Sequence, residues 1–186
     1  MGALSITLLI GRNAVAPPVQ VVAAAPAKHE RSESVEKHGI GLPIAGLTAK
    51  NIQDTYSQLR GGGTRPHEAT DILSPRGTPV LAVTDGTIKR LFTSKPGGLT
   101  VYQFDREDVY CYYYAHLDRY AEGLKEGQTV KRGDLIGYVG TTGNADPGTP
   151  HLHFAIFKIG PEKHWWQGTP LNPYPLLMEA LPQPRR

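Results

Sequence analysis

Cysteine is almost absent. Cys111 is the only one in 186 residues, which excludes an internal disulfide framework and any Cys-rich zinc site. A metal held by this chain must therefore sit among histidines and carboxylates. Long apolar runs are missing too: no stretch reaches the roughly 18 apolar residues that a membrane-spanning helix needs. Nor is there a surplus of one charge sign, since 20 Lys and Arg stand against 17 Asp and Glu for a formal net charge of +3. The basic residues are scattered and form no stripe, which argues against a nucleic-acid partner. Hydrophobic residues at 39% and charged ones at 20% exclude a wholly disordered chain. The length predicts one domain, able to bury a core without oligomerisation, so a monomer is expected.

Turn-forming residues are abundant. The 21 glycines and 16 prolines make up about a fifth of the chain, against roughly 12% in ordinary domains, and point to short strands and many turns. Residues 1–45 are Ala-, Val- and Pro-rich and then charged (KHERSESVEK), with no period of 2 or 3.6, and are read as a flexible tail or linker. Within it, the apolar run Ala3 to Ile10 and the Ala25-Pro26-Ala27 cleavage-like site resemble a secretory signal, although the first basic residue, Arg12, follows the run instead of preceding it. His29 and His38 lie in this tail and are given no role. A domain is expected over 46–178, with a short C-terminal tail over 179–186.

The segment LTAKNIQDTYSQLR predicts one short helix, stopped by Gly61-Gly62-Gly63. Strand signals follow at 71–73, 78–83, 87–92, 99–104, 110–117, 135–139 and 151–157, with Asp85-Gly86 read as the turn of a hairpin between the second and third. Strands that recur without long intervening helices exclude a parallel βαβ pattern. They predict a mainly β fold: an antiparallel sheet sandwich or open barrel-like sheet folded on itself, with one short N-terminal helix and long loops around a cleft. Trp165-Trp166 and PLNPYPLL read as a closing segment packed on the sheet, His164 as a surface residue, and Cys111 as a small core residue.

Four histidines carry the chemical interest. His151 and His153, one residue apart in a β-type run, share one strand face, with Leu152 and Phe154 on the other. Strict alternation puts His116 with Tyr110, Tyr112 and Tyr114, a polar-aromatic face suited to a cleft wall. His67 and Asp71 are four apart in GGGTRPHEATDI, where glycine and proline favour a loop entering a strand, its curvature bringing the two side chains together. Three nitrogen and oxygen ligands with one open position are what a catalytic zinc site requires, and imidazole with carboxylate suits Zn²⁺ better than Mg²⁺ or Ca²⁺.

The runs GGGTRPHEATDI, GTPVLAVTDGTI, YYYAHL and VKRGDLIGYVGTTGNADPGTPHLHF resemble, in order and spacing, the lysostaphin-type (LytM-like) zinc metallopeptidases, over roughly residues 46–178. The resemblance implies that His67, Asp71 and His153 bind one Zn²⁺ per chain and that His116 and His151 are the catalytic pair, their individual roles left open. It implies an endopeptidase acting on peptide cross-links or bridges of bacterial peptidoglycan, hence a cell-envelope location, periplasmic or secreted. Two positions depart from the family pattern: Ala69, where glycine is usual, and Ala155, where an acidic residue is common. A non-hydrolytic module of the same fold, binding peptidoglycan or activating another hydrolase, is the alternative; such relatives usually lack some of the five residues present here. A biotinyl- or lipoyl-like carrier, suggested by VKRGDLIG, leaves the histidines unexplained.

Overall fold

The computed structural model of the chain describes residues 39–60 and 62–182. The signal-like run, the cleavage-like site, His29 and His38 lie outside them. Eleven strands are formed among the described residues: β1 (Leu59–Arg60), β2 (Arg65–Pro66), β3 (Thr70–Leu73), β4 (Pro79–Leu81), β5 (Gly86–Ser94), β6 (Gly98–Asp105), β7 (Tyr110–Tyr120), β8 (Thr129–Val130), β9 (Leu135–Val139), β10 (His151–Ile159) and β11 (Gly168–Leu171). All pairings are antiparallel. β1 and β2 form a separate small hairpin, while the other nine make one open sheet with the path β11-β10-β7-β6-β5-β8. The mainly β expectation therefore holds, as an open sheet and not a closed barrel. No helix among the described residues is long and apolar enough to cross a membrane.

The centre of the sheet is the β6-β7-β10 ribbon. β7 pairs with β10 through Tyr110–Ala115 and then with β9 through Leu117–Tyr120, so its two ends join different parts of the sheet. Along its other edge, β10 meets β3 over residues 151–154 and β11 over 156–159. Leu152, Phe154 and Ile156 are fully buried, as are Ile72, Ile88, Tyr114, Leu117 and Ile136, and these side chains form the main core. A smaller cluster of Tyr102, Phe104, Cys111 and Ile159, with Trp165 packed on it, lies on the opposite face of β6 and β7. Cys111 is thus a core residue, and burial pushes its thiol pKa well up.

The expected N-terminal helix is corrected. The segment 47–60 holds only a single 3-10 turn, Ala49–Asn51, closed by reciprocal bonds between Thr48 and Asn51. Beyond it Ile52 bridges to Ile72, and Thr55 is tied to the Ala69 carbonyl and the Asp71 amide, so long-range contacts hold the backbone extended. The one α-helix is C-terminal: α1 (Pro173–Ala180) begins at Asn172, whose side chain accepts from the Tyr174 amide, with Pro173 at the first position. It runs past residue 178, where the domain was expected to end.

The Asp85-Gly86 hairpin does not form. β4 pairs with β9, and β5 pairs with β6 and β8. Gly86 serves close packing, since a Cβ there would overlap the Phe104 carbonyl oxygen on β6. Asp85 instead accepts from the Arg132 amide at 2.8 Å and pairs with Arg106 and Lys131. At the N-terminal side, Ile40 and Ile44 are each 3% exposed, and the Leu81 amide donates to the Pro43 carbonyl at 2.8 Å. The packed core therefore includes residues before the expected domain start at 46.

Candidate active site

Each histidine reaches the cleft through a different local device. On β10, regular alternation sends His151 and His153 to one face while Leu152 and Phe154 enter the core, as the spacing predicts. On β7, alternation is broken. Leu117 pairs with Leu99 and Tyr114 with Val101, so Ala115 and His116 together oppose the single residue Thr100, a β-bulge. His116 has a positive φ of 59°, which turns its side chain to the cleft side. Tyr110, Tyr112 and Tyr114 are core residues with at most 3% exposure, so the expected grouping of His116 with them is corrected: the cleft wall of β7 is Tyr113, Ala115 and His116.

His67 sits just before β3, its amide bonded to the Gln58 carbonyl at 2.8 Å. Glu68, with φ 57°, makes the turn between His67 and Asp71. That leaves Ala69 outside the left-handed region, and it is buried without a glycine being required there.

His67, Asp71 and His153 converge. His67 Nε2 lies 3.0 Å from His153 Nδ1, and Asp71 Oδ1 lies 3.1 Å from each of them. A tetrahedral zinc ion with bonds of about 2.0–2.1 Å separates its ligand atoms by roughly 3.3 Å, so this triangle has close to the edge length such an ion needs. The His67 tautomer agrees. His67 Nδ1 is 3.1 Å from the Thr55 carbonyl, which only accepts, so Nδ1 carries the proton and the Nε2 lone pair faces the triangle. Three lone-pair atoms at this separation repel one another unless a proton or cation lies among them.

Burial alone would raise the Asp71 pKa, but the adjoining His153 and His67 rings outweigh it and hold the carboxyl well below the ordinary range. His153 is shifted down, first by burial, with Asp71 opposing. The donor set thus includes an ionised carboxylate and, at His153, an imidazole disposed to be neutral, the forms in which such groups bind a metal.

His116 and His151 stand beside this triangle, their ring centroids 5.0 Å apart, with His116 5.5 Å from His153. His116 Nδ1 donates to the Thr142 carbonyl and His151 Nδ1 to the Thr149 carbonyl, each at 2.8 Å. In the neutral form of each ring Nε2 is consequently an acceptor. His151 Nε2 is 3.9 Å from Asp71 Oδ1. Burial, then the neighbouring His153, push the His116 pKa down to about 4 against the Thr142 bond.

The surrounding cleft, of roughly 660 Å³, is bordered by Arg60 and Arg65 on one side and by Tyr113, Ala155 and Trp166 along β10. Sequence reasoning missed Arg60, placed inside an expected helix, as well as Tyr113, Thr142 and the cleft-lining Trp166. Only the glycine run after Arg60 signalled a hairpin tip, and a two-residue strand carries no alternation to read.

The model of peptidase family M23 matches residues 65–173. The L-Ala–D-Glu endopeptidase of Bacillus subtilis is 36% identical over 147 residues, 76% of this chain and 43% of that protein. Among solved structures, a putative glycyl-glycine endopeptidase LytM from Ruminococcus gnavus aligns with a TM-score of 0.60 at 33% identity, covering 76% of this chain and 59% of that one. The catalytic domain of lysostaphin from Staphylococcus simulans aligns with a TM-score of 0.53 at 29% identity over 75% of this chain and 89% of the other. The chain spans less than half the length of the Bacillus relative. With more than half of its residues inside the family match, carrying the His67, Asp71 and His153 triangle, the chain belongs to peptidase family M23.

Proposed function

We propose that this protein is a zinc-dependent endopeptidase that hydrolyses peptide cross-links or bridges of bacterial peptidoglycan, and that it works in the cell envelope, in the periplasm or outside the cell. The observation that carries this reading is the triangle of His67 Nε2, Asp71 Oδ1 and His153 Nδ1 with sides of 3.0–3.1 Å, beside two histidines whose Nε2 atoms are acceptors. Relatives named peptidoglycan DD-endopeptidases support the substrate class. In this reading His67, Asp71 and His153 hold the ion, and His116 and His151 are catalytic.

Zinc bound by two neutral imidazoles and one carboxylate keeps a net positive charge, and so supplies an acidified water and a polarised carbonyl. The protein's own groups then manage protons. His116 and His151, anchored through Nδ1 to the Thr142 and Thr149 carbonyls, present Nε2 to the reacting groups in a fixed orientation. A ring that takes a proton at Nε2 from the nucleophile becomes a donor at the same atom. It can then protonate the departing amine or hydrogen-bond the oxyanion. The low pKa of His116 keeps its Nε2 unprotonated at physiological pH.

Digestion of purified sacculi, followed by muropeptide analysis and metal analysis of the same preparation, tests the reading. The expected result is about one zinc per chain and release of peptide-cleaved products that stops when the metal is chelated and returns with zinc. Unchanged sacculi would point to the non-hydrolytic alternative.

A further inference from the structure

Asp71 has two carboxylate oxygens with different partners. Oδ1 faces His67 and His153, while Oδ2 lies 2.7 Å from Arg60 Nη2, a charge-assisted bond. We propose that Arg60 is a positioning residue of the metal centre: by holding Oδ2 it makes Asp71 a one-oxygen ligand and so preserves the open coordination position. The proposal rests on the reading of His67, Asp71 and His153 as a zinc site.

A carboxylate can bind a cation through one oxygen or both. Zinc in a catalytic site has three protein ligands and a fourth position for water or substrate. If Asp71 swung to bind through both oxygens, its second oxygen would compete for that fourth position. Arg60 prevents the swing by giving Oδ2 a better partner. The contact belongs specifically to Asp71. Arg60 Nη2 is also 3.4 Å from His67 Nδ1, but that nitrogen already carries a proton for the Thr55 carbonyl, and two donors form no bond.

Placement is a property of the β1-β2 hairpin. Arg60 pairs with Arg65 across the hairpin, and the strand leaving it delivers His67, tied to Gln58, and Glu68, tied to Tyr56. One short element thus carries a ligand and the group that orients a second ligand. The Arg60 side chain is 35% exposed, so its charge is placed at the cleft edge without the cost of full burial. Lysine, a single-point charge on a flexible stem, reproduces the charge but not the planar geometry.

The test uses the full chain with Arg60→Gln, Arg60→Met and Arg60→Lys, the two uncharged variants guarding against loss of fold in one of them. Zinc affinity is measured by competition with a chromophoric chelator, the coordination number by the visible absorption of the cobalt(II)-substituted protein, and the fold by melting of the metal-free form. The expected result is zinc binding weakened by about 10–100-fold in the uncharged variants. Their cobalt absorption should be reduced, as a second Asp71 oxygen enters, and lysine should restore affinity in part. Wild-type zinc affinity with a wild-type cobalt spectrum in the uncharged variants overturns the proposal. So does a loss of affinity that tracks a fall in metal-free melting temperature and is not rescued by lysine, which would make Arg60 a structural residue only. A wild-type protein that takes up no zinc would instead remove the metal-centre reading, and the proposal with it.

Discussion

β10 and β7 lie side by side and both bring histidines to the same cleft, by opposite means. β10 stays regular: His151 and His153 occupy alternate positions, and Leu152, Phe154 and Ile156 between them are fully buried. β7 breaks its pleat at Ala115 and His116, and His116 takes a left-handed conformation with φ 59°. Around that break the chain supplies extra bonds. Gly97 O accepts from the His116 amide, Thr142 O from the ring, and Thr142 Oγ1 links the Leu117 carbonyl to the Leu99 amide. A regular strand positions a side chain by core packing on its other face, whereas a broken one needs its neighbours to hold the backbone.

The largest effect that tests this contrast lies within β10 itself. His153→Ala should lose zinc and turnover together, while His151→Ala should keep zinc and lose turnover by about 10²–10⁴-fold, the range for acid–base catalysis. Zinc content and hydrolysis rate measured on the same preparations decide it. Metal retained by His153→Ala but lost from His151→Ala would reverse the two roles. His116→Ala is expected to resemble His151→Ala.

Next comes the shared core face. Phe154 and Tyr114 are paired in register with ring centroids 5.3 Å apart, the point where both strands pack on common ground. Phe154→Ala should cost about 3–5 kcal/mol, as for other buried aromatic truncations, read as the shift in a urea or thermal unfolding curve. A loss below about 1 kcal/mol would mean that β10 is not held by its core face.

A smaller effect separates the strands directly. Valine at His116 would be forced into the left-handed region, at a cost of roughly 1–2 kcal/mol, whereas asparagine tolerates it. Valine at His151 meets no such backbone penalty, because β10 is extended there. Melting His116→Val, His116→Asn and His151→Val in the metal-free form should show the first alone substantially destabilised. Equal stability in all three would remove the bulge from the account.

The smallest effect concerns the entry to β7. Asp105 is 6% exposed and accepts from the Val109 and Tyr110 amides at 2.7 and 3.1 Å, which shapes the turn into that strand. Burial raises its pKa above the ordinary carboxylate value, the two amides opposing and Glu107 and Asp108 adding to the rise. The folded state therefore holds this proton at a pH where the unfolded chain has released it. Asp105 contributes stability below its ordinary pKa that is lost as pH rises through the folded value. Asp105→Asn keeps an acceptor oxygen and should remove that part of the pH dependence, seen as a flatter plot of urea midpoint against pH from about 4 to 7. An unaltered slope would assign it to other groups.

Legibility followed the same division. The strands at 110–117, 135–139 and 151–157 were readable because alternating β-type residues between glycines and prolines encode their own local geometry, and the structure places strands there. The helix expected over 47–60 was not, because Thr55 and Ile52 make their decisive contacts with residues 14–20 positions away. The real helix had a readable start in Asn172-Pro173, inside a proline-rich phrase that reads as a closing segment. The Asp85-Gly86 phrase misled for a related reason: a turn dipeptide and a glycine required by a neighbouring strand look identical until the neighbour is known.

By itself the sequence determined a mainly β, disulfide-free chain, the shared face of His151 and His153, and a candidate set of histidines and one aspartate in recognisable order. Only the tertiary structure decided that His67 Nε2, Asp71 Oδ1 and His153 Nδ1 meet at 3.0–3.1 Å, that His116 leaves the face its alternation assigns, and that Arg60 touches Asp71. The physical reason is range. Strand alternation is local and repeats every two residues, so a few neighbours reveal it. The meeting of residues 67 and 153, and the bulge that turns residue 116, follow from how separate strands register and pack against one another, which no short stretch of chain contains.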